Sequence, residues 1–411
     1  MTKKPMRLLA VLLAMLLIAG CHQTDNTSEQ STATSSTTST TSTVETEETT
    51  SPSETSETTV TDPDTTTTEG TGPTSPAVTT KNPTTPSEPK ASKVVGANIG
   101  AGYYIVSPID DHPGVVGMDA HYVMQARDKM GNYLPASDME ISVNNSSVKV
   151  SGAMLVVPYS VRSSSSPITV TVKQKSKPNR TGSYTFQFQK FSADPTLHDD
   201  FDTLNTDLWK TGWYQGMAGG VIEDGNLVFR AESDAHSFVM STTGTFNQAY
   251  GCFSARISMP QRGLVNGAFW LCTEPGVVYI KNPQRPVQSG GELDIVEYYP
   301  AWGDGWAGTI HWNGWSDYHR SSGKDTLQGE NIAGNYHIYS AVWTPDAIYW
   351  YFDGLLCWVY TGEGVGPNSG PMQVLLQMSV KKQDDAWGGK YDPDAFPVEM
   401  KTDWVTVHTL T

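Results

Sequence analysis

Hydrophobic and polar residues alternate along much of the chain after about residue 95. In the first part, the runs "HYVMQARD", "ITVTVKQK" and "YTFQFQKF" change character at every second residue, and turn signals separate them. A period of two is typical of half-buried β-strands. Short, evenly spaced strands predict a small immunoglobulin-like β-sandwich over residues 95–192. We interpret it as a spacer or stabilising domain, with a glycan-binding module as the alternative.

Residues 197–411 are strand-like almost throughout. Examples are "NLVFRAES", "CFSARISMP", "HIYSAVWTPDAIYWYF" and "MQVLLQMSV", and Asp-Gly, Pro-Asp and Gly-Pro turn signals lie between the runs. No amphipathic segment is longer than two helical turns. The pattern therefore predicts an all-β fold, with a larger sandwich of two antiparallel sheets.

The N-terminal segment 1–21 has a basic start and a short apolar run, "LLAVLLAMLLI", which is too short to span a bilayer as a mature helix. The sequence "LIAGC" that ends at Cys21 resembles the lipobox of bacterial lipoproteins. The resemblance implies cleavage before Cys21, acylation of its thiol and a place on the outer face of the cytoplasmic membrane, at the bacterial cell surface. The alternative is an ordinary signal peptide with a chance cysteine.

Residues 22–94 consist mostly of Thr, Ser, Glu and Pro. Their apolar content is too low to offset the entropy of an ordered chain, so we expect a disordered tether. The whole chain of 411 residues has a net charge of −16, which argues against nucleic acid as a partner. We expect a monomer.

Four cysteines occur, and none lies in a Cys-x-x-Cys pair. A zinc or iron–sulfur centre therefore has little support. With Cys21 assigned to lipidation, the remaining three cannot all pair within one chain. We expect buried thiols with at most one disulfide among Cys252, Cys272 and Cys357.

One predicted strand, "GGELDIVEYYP", contains three carboxylates. Glu292 and Asp294 alternate with apolar residues, but Glu297 lies at an odd offset from Glu292 and would face the opposite side of a regular strand. A β-bulge near Ile295 and Val296 would return Glu297 to the face of the other two acids. The two consecutive apolar residues are what a bulge at that point would show.

Glu292 and Glu297 would then lie roughly 13 Å apart along the backbone, at about 3.3 Å per residue. Retaining glycosidases hold their two carboxyl groups about 5–5.5 Å apart, and inverting ones about 6.5–9.5 Å. Leaning side chains and a curved sheet would have to close the difference. Spacing alone leaves two interpretations open: a glycosidase site and a solvated acidic strand face.

The flanking sequence favours the glycosidase. "ELDIVE" resembles the bulged E-x-D-x-x-E signature of glycoside hydrolase family 16, as found in laminarinase-like β-glucanases. "DDF", "DGNLVFRA", "YGCFSARISMP", "GAFWL", "AGTIHW", "NYHIYSAVWTPDAIYWYFDG" and "DAFPVEMKTDWVTVH" are similar to other strands of that family, so the resemblance covers nearly all of residues 199–408.

This resemblance implies a curved, concanavalin-like jelly roll that cleaves internal β-glycosidic bonds with retention of configuration. It assigns Glu292 as the nucleophile, Glu297 as the acid/base and Asp294 as the supporting carboxylate. It implies no cofactor for catalysis. A structural calcium ion is often found on the convex face of family members, and Asp403 and Asp200 are its candidate ligands here.

Aromatic rings commonly pack against the C–H faces of sugars, so the cleft should carry some. The candidate substrate-binding residues are Trp270, Tyr298, Trp302, Trp306, His311, Trp312 and Trp387. The Trp-Pro pair that β-1,3-glucanases of the family usually carry before the first glutamate is missing, because residues 285–291 read "RPVQSGG". That departure leaves the sugar specificity open.

The predicted function is a retaining endo-β-glycanase acting on a β-1,3- or mixed β-1,3/1,4-glucan. A β-galactanase of the agar or carrageenan type and a transglycosylase are the alternatives among enzymes. A surface glycan-binding protein that does not cut its ligand is the alternative from another class.

Overall fold

The computed structural model describes residues 102–211, 216–273, 290–314, 319–366 and 370–411. The predicted signal peptide and tether, including Cys21, lie outside the described residues. Within the described part, no helix is long and apolar enough to cross a bilayer. The fold is all-β and antiparallel, as the alternation predicts.

The first domain has two sheets. One has the strand order β1-β2-β5-β4, formed by β1 (Ile105–Pro108), β2 (Ala120–Arg127), β4 (Lys149–Ser151) and β5 (Met154–Val157). The other has the order β3-β6-β7, formed by β3 (Met139–Val143), β6 (Ile168–Gln174) and β7 (Thr181–Phe186). A single five-residue helix, α1 (Tyr159–Ser163), follows β5 among the described residues of this domain, and a 3-10 turn spans Ala136–Asp138.

The core of this domain is built by the inward-facing residues of both sheets. In β6, Ile168, Val170 and Val172 are fully buried while the residues between them are not. They pack in one cluster with Tyr122 and Leu155 of the other sheet. This is the two-layer arrangement expected of a sandwich; its immunoglobulin-like topology stays a prediction.

The second domain also has two sheets. The eight-stranded sheet has the order β19-β18-β17-β12-β21-β10-β9, with β8 paired to β21. Its strands are β8 (Leu197–Asp199), β9 (Val221–Glu223), β10 (Asn226–Ala231), β12 (Gly251–Ser258), β17 (Tyr336–Trp343), β18 (Ile348–Phe352), β19 (Leu355–Tyr360) and β21 (Val398–His408).

The six-stranded sheet has the order β11-β20-β13-β14-β15-β16. Its strands are β11 (Phe238–Ser241), β13 (Val265–Cys272), β14 (Gly291–Tyr298), β15 (Gly305–Trp312), β16 (Arg320–Gln328) and β20 (Gln373–Val380). Two further 3-10 turns span Pro300–Trp302 and Pro393–Ala395.

A continuous apolar core separates the two large sheets. Phe269 and Leu293 of the six-stranded sheet pack in the same cluster as Phe253, Tyr339 and Trp350 of the eight-stranded sheet. Each sheet therefore has one face in the core and one face directed outward. The outer face of the six-stranded sheet carries the acidic residues described below.

The first domain covers part of the outer face of the eight-stranded sheet. Val115 of the first domain packs with Val342, Tyr349 and Tyr351 of that sheet. The Tyr351 hydroxyl accepts a hydrogen bond from the backbone N–H of Gly114 at 3.1 Å. Both faces of β18 are thus buried, which explains its unbroken apolar sequence "IYWYF".

Three cysteines lie among the described residues, and all three are free thiols. Cys252 and Cys272 are buried, and Cys357 is partly buried. Two of these three thiols are therefore buried as the sequence predicts, and the three form no disulfide with one another.

Candidate active site

The strand β14 carries a bulge at the predicted position. Phe269 and Trp270 are consecutive on β13, yet they pair with Val296 and Asp294, which leaves Ile295 as the extra residue. The register against β15 shifts at the same place. An extra residue on one strand reverses the alternation beyond it, as the parity of the three acids requires.

The bulge brings all three carboxylates to one side of the sheet. Glu292, Asp294 and Glu297 line a single cavity of about 240 Å³ on the outer face. Ile295 and Val296 both point into the core and are fully buried. The strand is therefore built to gather the acids, and is not a regular strand with a stray one.

Neighbouring strands supply the rest of the cavity wall. Its side chains come from alternate positions of β13 and β20 and from the residues that directly follow β14 and β20. They are Asn266, Ala268, Trp270, Tyr299, Gln377, Ser379 and Lys381. Lys381 is 3.5 Å from Asp385, so its positive charge already has a partner.

Glu297 is partly exposed to this cavity and is held by a neutral donor. The Nδ2 of Asn266 donates a hydrogen bond to Glu297 Oε1 at 3.1 Å. The Tyr299 side chain also hydrogen-bonds Asn266. Burial is the main cause that raises the pKa of the Tyr299 hydroxyl, so this group stays protonated at neutral pH. Glu297 is thus held in place by a neutral side chain.

Asp294 lies deeper than either glutamate. Its residue is 5% exposed. Its Oδ2 is 3.3 Å from His311 Nε2, and Glu292 Oε1 is 3.9 Å from the same nitrogen. The backbone carbonyl of Asp294 accepts a hydrogen bond from the indole N–H of Trp350 at 2.9 Å. This cross-sheet bond satisfies a backbone acceptor next to the bulge, where the ladder shifts.

Asp294 differs in its pKa from an ordinary carboxyl group. Burial raises the pKa of Asp294 well above its usual value, and the charge of Glu297 adds to the effect. Burial also lowers the pKa of His311, although Glu292 and Glu297 oppose that shift. We therefore expect a neutral His311, and an Asp294 that holds its proton to a higher pH than an ordinary carboxyl group.

The only described group of three side chains with metal-ligand spacing belongs to this cavity. The ligand atoms of Glu292, Asp294 and His311 lie within 4.8 Å of one another. Acid chemistry accounts for them, and no metal is assigned here.

The two predicted calcium ligands do not fit that role. The carboxylate of Asp403 forms an ion pair with Arg256, with Oδ2 and Nη1 2.5 Å apart. Asp200 is exposed on the surface. A guanidinium group already balances the charge of Asp403, so these residues give no support to a calcium site.

Three predicted sugar-binding aromatics face the wrong way. Tyr298 and Trp306 are fully buried, and Trp312 is 9% exposed; all three belong to the core between the sheets. Each side chain points away from the cavity because it lies one position away from a residue on the outer face. The predictions for Tyr298, Trp306 and Trp312 are therefore wrong, since a sugar cannot reach them.

Other predicted aromatics do lie near the acids. Trp270 lines the cavity, although it is largely buried. Trp302 packs beside Tyr299 with ring centroids 5.1 Å apart, and its indole N–H donates to the Trp387 carbonyl at 2.8 Å. Trp387 is 64% exposed. Tyr299 lines the cavity, and we call Tyr299, its neighbour Trp302 and the hydrogen-bonded Trp387 the aromatic cluster.

The alternation of inward and outward residues along a strand could have corrected the prediction of the sugar-binding aromatics. Glu297 faces outward, so the next residue, Tyr298, must face the core, and Tyr299 must face outward again. The same rule on β15 separates His311 from Trp312. Asn266, Gln377, Ser379 and Lys381 give no such signal, because ordinary polar residues on outward positions are usually just solvated.

Paired glutamates that line one open cavity are the residue types with which glycoside hydrolases cleave glycosidic bonds. Residues 210–406 match the sequence model for Glycosyl hydrolases family 16, and the domain that they form belongs to that family.

Two curated relatives show the extent of the similarity. The chain is 27% identical over 244 residues to Glucan endo-1,3-beta-glucosidase A1 of Niallia circulans, covering 50% of this chain and 34% of the relative. It is 25% identical over 181 residues to a Beta-glucanase of Rhodothermus marinus, covering 41% of this chain and 60% of the relative. The chain thus spans from about a third to three fifths of these relatives.

A solved structure is also similar. The endo-beta-1,3-glucanase from Pyrococcus furiosus is 23% identical, with a TM-score of 0.43, over 54% of this chain and 96% of that one.

Proposed function

We propose that the second domain is a retaining endo-β-glucanase that hydrolyses internal bonds of a β-1,3- or mixed β-1,3/1,4-glucan. The observation that carries the proposal is the bulge in β14, which places Glu292, Asp294 and Glu297 in one cavity. The relatives named as glucanases support the choice of a glucan. The first domain acts as a spacer or stabilising domain in this proposal.

The two glutamates take the two roles of a double displacement. Glu292 attacks the anomeric carbon as a carboxylate, and the bond from that carbon to the leaving oxygen breaks. Glu297, held by Asn266, gives its proton to the leaving oxygen. Water then enters, Glu297 takes one proton from it, and the hydroxide replaces Glu292 at the same carbon.

Asp294 supports the nucleophile. While Asp294 is protonated it carries an O–H donor, and its raised pKa keeps that donor present at a higher pH than usual. Two neighbouring carboxyl groups that share a site do not ionise equally, so a protonated Asp294 allows Glu292 to be charged beside it.

The aromatic cluster of Tyr299, Trp302 and Trp387 is proposed to hold sugar rings of the polymer. Its exposed member, Trp387, offers a flat apolar face at the surface. A polymer lying across the outer face of the sheet would contact this cluster on one side of the acids and the His311 side on the other.

The test is release of reducing ends from a panel of β-glucans and galactans. Wild-type protein is expected to act on a β-1,3- or mixed-linkage glucan, and Glu292→Ala to lose at least about a hundredfold in rate while still binding the polymer. Glu330→Ala, which removes an exposed carboxylate, is the matched control and should be unaffected.

Retention of the anomeric configuration can be measured separately. Proton NMR of the first product should show the β-anomer, and azide added to Glu292→Ala should restore turnover and give an α-glycosyl azide. Turnover by Glu292→Ala without azide would reject this nucleophile. Release only from galactans, longer chains by sugar transfer, or binding without any release would support the galactanase, the transglycosylase or the non-cutting binder instead.

We also propose attachment at the bacterial cell surface through acylated Cys21, which rests on the sequence "LIAGC". Incorporation of labelled palmitate, lost in Cys21→Ser, is the expected result. An unlabelled, freely released wild-type protein would reject the lipid anchor.

A further inference from the structure

Three titratable side chains lie in a row across neighbouring strands. Asp294 is on β14, His311 is the residue paired with Glu292 on β15, and His319 comes directly before β16. His311 Nε2 is 3.3 Å from Asp294 Oδ2, and His311 Nδ1 is hydrogen-bonded to His319 Nε2 at 3.0 Å. The two rings lie side by side, with centroids 5.2 Å apart and planes 23° apart.

Burial decreases along this row towards the solvent. The side chain of Asp294 is 7% exposed and that of His311 is 18% exposed, and His319 is partly exposed at the beginning of the edge strand β16. The row therefore connects a buried carboxyl group in the cavity to the margin of the sheet.

The hydrogen bonds of a neutral imidazole couple the two ends. If His311 donates from Nδ1 to His319, its Nε2 has no proton, so a proton shared with Asp294 Oδ2, 3.3 Å away, must come from Asp294. If His319 donates to His311 Nδ1, then Nε2 of His311 carries the proton and Asp294 has only to accept, which an ionised carboxylate does best. The protonation of Asp294 and the side of His311 that carries the proton are thus linked.

We propose that His319 is a positioning residue for Asp294 and that, through His311, it exchanges the proton of this carboxyl group with solvent. In the transfer, the Asp294 O–H bond breaks as His311 Nε2–H forms. The His311 Nδ1–H bond then breaks as His319 Nε2–H forms. The result is an ionised Asp294 and a protonated His319, and the reverse transfer restores both.

This inference rests on the proposed glycosidase function and gives the transfer a purpose. When Glu292 becomes bonded to the sugar it loses its negative charge, while Glu297 becomes ionised as it gives up its proton. The positive charge that develops on the sugar then favours release of the Asp294 proton, and the resulting carboxylate stabilises that charge. When Glu292 leaves again as a carboxylate, the proton returns to Asp294.

Other charged and titratable groups face this row. Glu292 and Glu297 favour the protonated form of His311, and Arg320 disfavours that of His319. Tyr299 and Lys381 line the same cavity. Because these groups stay in place when only His319 is changed, variants at position 319 isolate its effect.

The experiment compares His319→Phe, His319→Gln and His319→Ala in the full chain. His319→Gln keeps a hydrogen-bonding group but cannot carry the proton, so we expect it to be slowed like His319→Phe, by roughly tenfold in kcat with little change in KM. Imidazole in the buffer should restore the rate of His319→Ala. His236→Gln removes another exposed histidine and should keep the wild-type rate and pH profile.

Full activity of His319→Phe would overturn the inference. So would full activity of His319→Gln combined with no imidazole rescue of His319→Ala, because a simple orienting role would then suffice.

A second readout does not need activity. Nitrogen-15 NMR of the imidazole rings should show His311 and His319 titrating together in wild-type protein, and a changed His311 tautomer in His319→Gln. Independent titration of the two rings would overturn the inference even in an active enzyme. Coupled titration in a protein that cuts no glycan would instead reject the glycosidase proposal and retain the proton exchange.

Discussion

At the scale of single residues, the three acids of β14 have different environments. Glu292 and Glu297 are partly exposed, whereas Asp294 is buried beside His311. One strand therefore presents two carboxyl groups to a substrate and keeps a third behind them. That division follows from local burial, which the motif alone does not reveal.

Asp294→Asn tests how far ionisation of the buried Asp294 lowers the free energy of unfolding. The pKa of Asp294 is raised in the folded protein, so folding favours its protonated form. The group therefore leaves the free energy of unfolding unchanged below the ordinary pKa of 3.8. It lowers that free energy progressively as the pH rises from 3.8 through the raised pKa. We expect the variant to be more stable than wild type at pH 8, to differ less at pH 4, and to lose about 10- to 100-fold in kcat.

Denaturant unfolding at the two pH values and glucan hydrolysis measure these effects. Asp325→Asn changes an exposed carboxyl group and serves as the control. If the variant were instead less stable than wild type at pH 8, ionisation of Asp294 would not be what destabilises the wild-type fold.

Residue types explain which parts of the site could be predicted. The gathering of the acids on one face was predictable because two consecutive apolar residues indicate a bulge, whereas their assignment to a glycosidase depended on the resemblance of the flanking sequence. Tyr299 was predictable in principle, because strict alternation separates it from Tyr298. Gln377 and Ser379 were not, because only the pairing of β20 with β13 brings them near the acids, and that pairing joins residues about a hundred positions apart.

At the scale of elements, the bulge in β14 lets a strand of eight residues present both glutamates on one face. Beyond the bulge, the alternation resumes, with Tyr298 in the core and Tyr299 outside. Ile295 is the extra residue. Its removal would leave the order of inward and outward positions unchanged on both sides.

Two changes of length should therefore have opposite outcomes. Deleting Ile295 makes β14 regular and keeps all three acids outward, so we expect a folded protein that is destabilised by about 2–5 kcal/mol through the loss of one buried side chain. Inserting one alanine before Glu297 would turn that carboxylate toward the core, which costs several kcal/mol unless it is paired.

Thermal unfolding and circular dichroism distinguish the two variants. The deletion should unfold cooperatively at a lower temperature, and the insertion should not fold. A deletion that fails to fold while the insertion folds normally would show that the alternation does not control this strand.

At the scale of the whole molecule, the two domains meet on a mixed polar and apolar contact. His112 of the first domain stacks on Tyr122, with centroids 4.5 Å apart. It also lies 3.3 Å from the Tyr351 hydroxyl through Nδ1, and its Nε2 contacts the His121 carbonyl at 3.0 Å. Burial is the largest cause that lowers the pKa of His112 to about 4, and nearby Arg162 adds to it.

His112→Gln tests this contact through pH. A lowered histidine pKa means that the unfolded chain binds the proton more readily, so this histidine destabilises the fold progressively as the pH falls from 6.5 to about 4. Relative to wild type, the variant should therefore gain about 3 kcal/mol between neutral pH and pH 4.

Urea unfolding at several pH values gives the difference directly. His236→Gln, at an exposed position, should show no such gain. A parallel pH dependence of wild type and His112→Gln would show that His112 is not kept neutral by burial.

The fold class was predictable because period-two alternation extends over both domains. The contact between them was visible only indirectly, in the unbroken apolar run of β18. Strand order could not be predicted, because β21 pairs with β12 and β10, which lie far away along the chain. Long-range pairing depends on the complementarity of whole faces, which a local pattern does not record.

The bond from Trp350 to the Asp294 carbonyl reaches from the far sheet, and a Cβ at Gly308 would come within 2.6 Å of that indole nitrogen. A change at either position would thus disturb β14 from the core side of its sheet. Over generations, a larger residue at position 308 can therefore become established only after the indole at position 350 has been replaced by a smaller side chain.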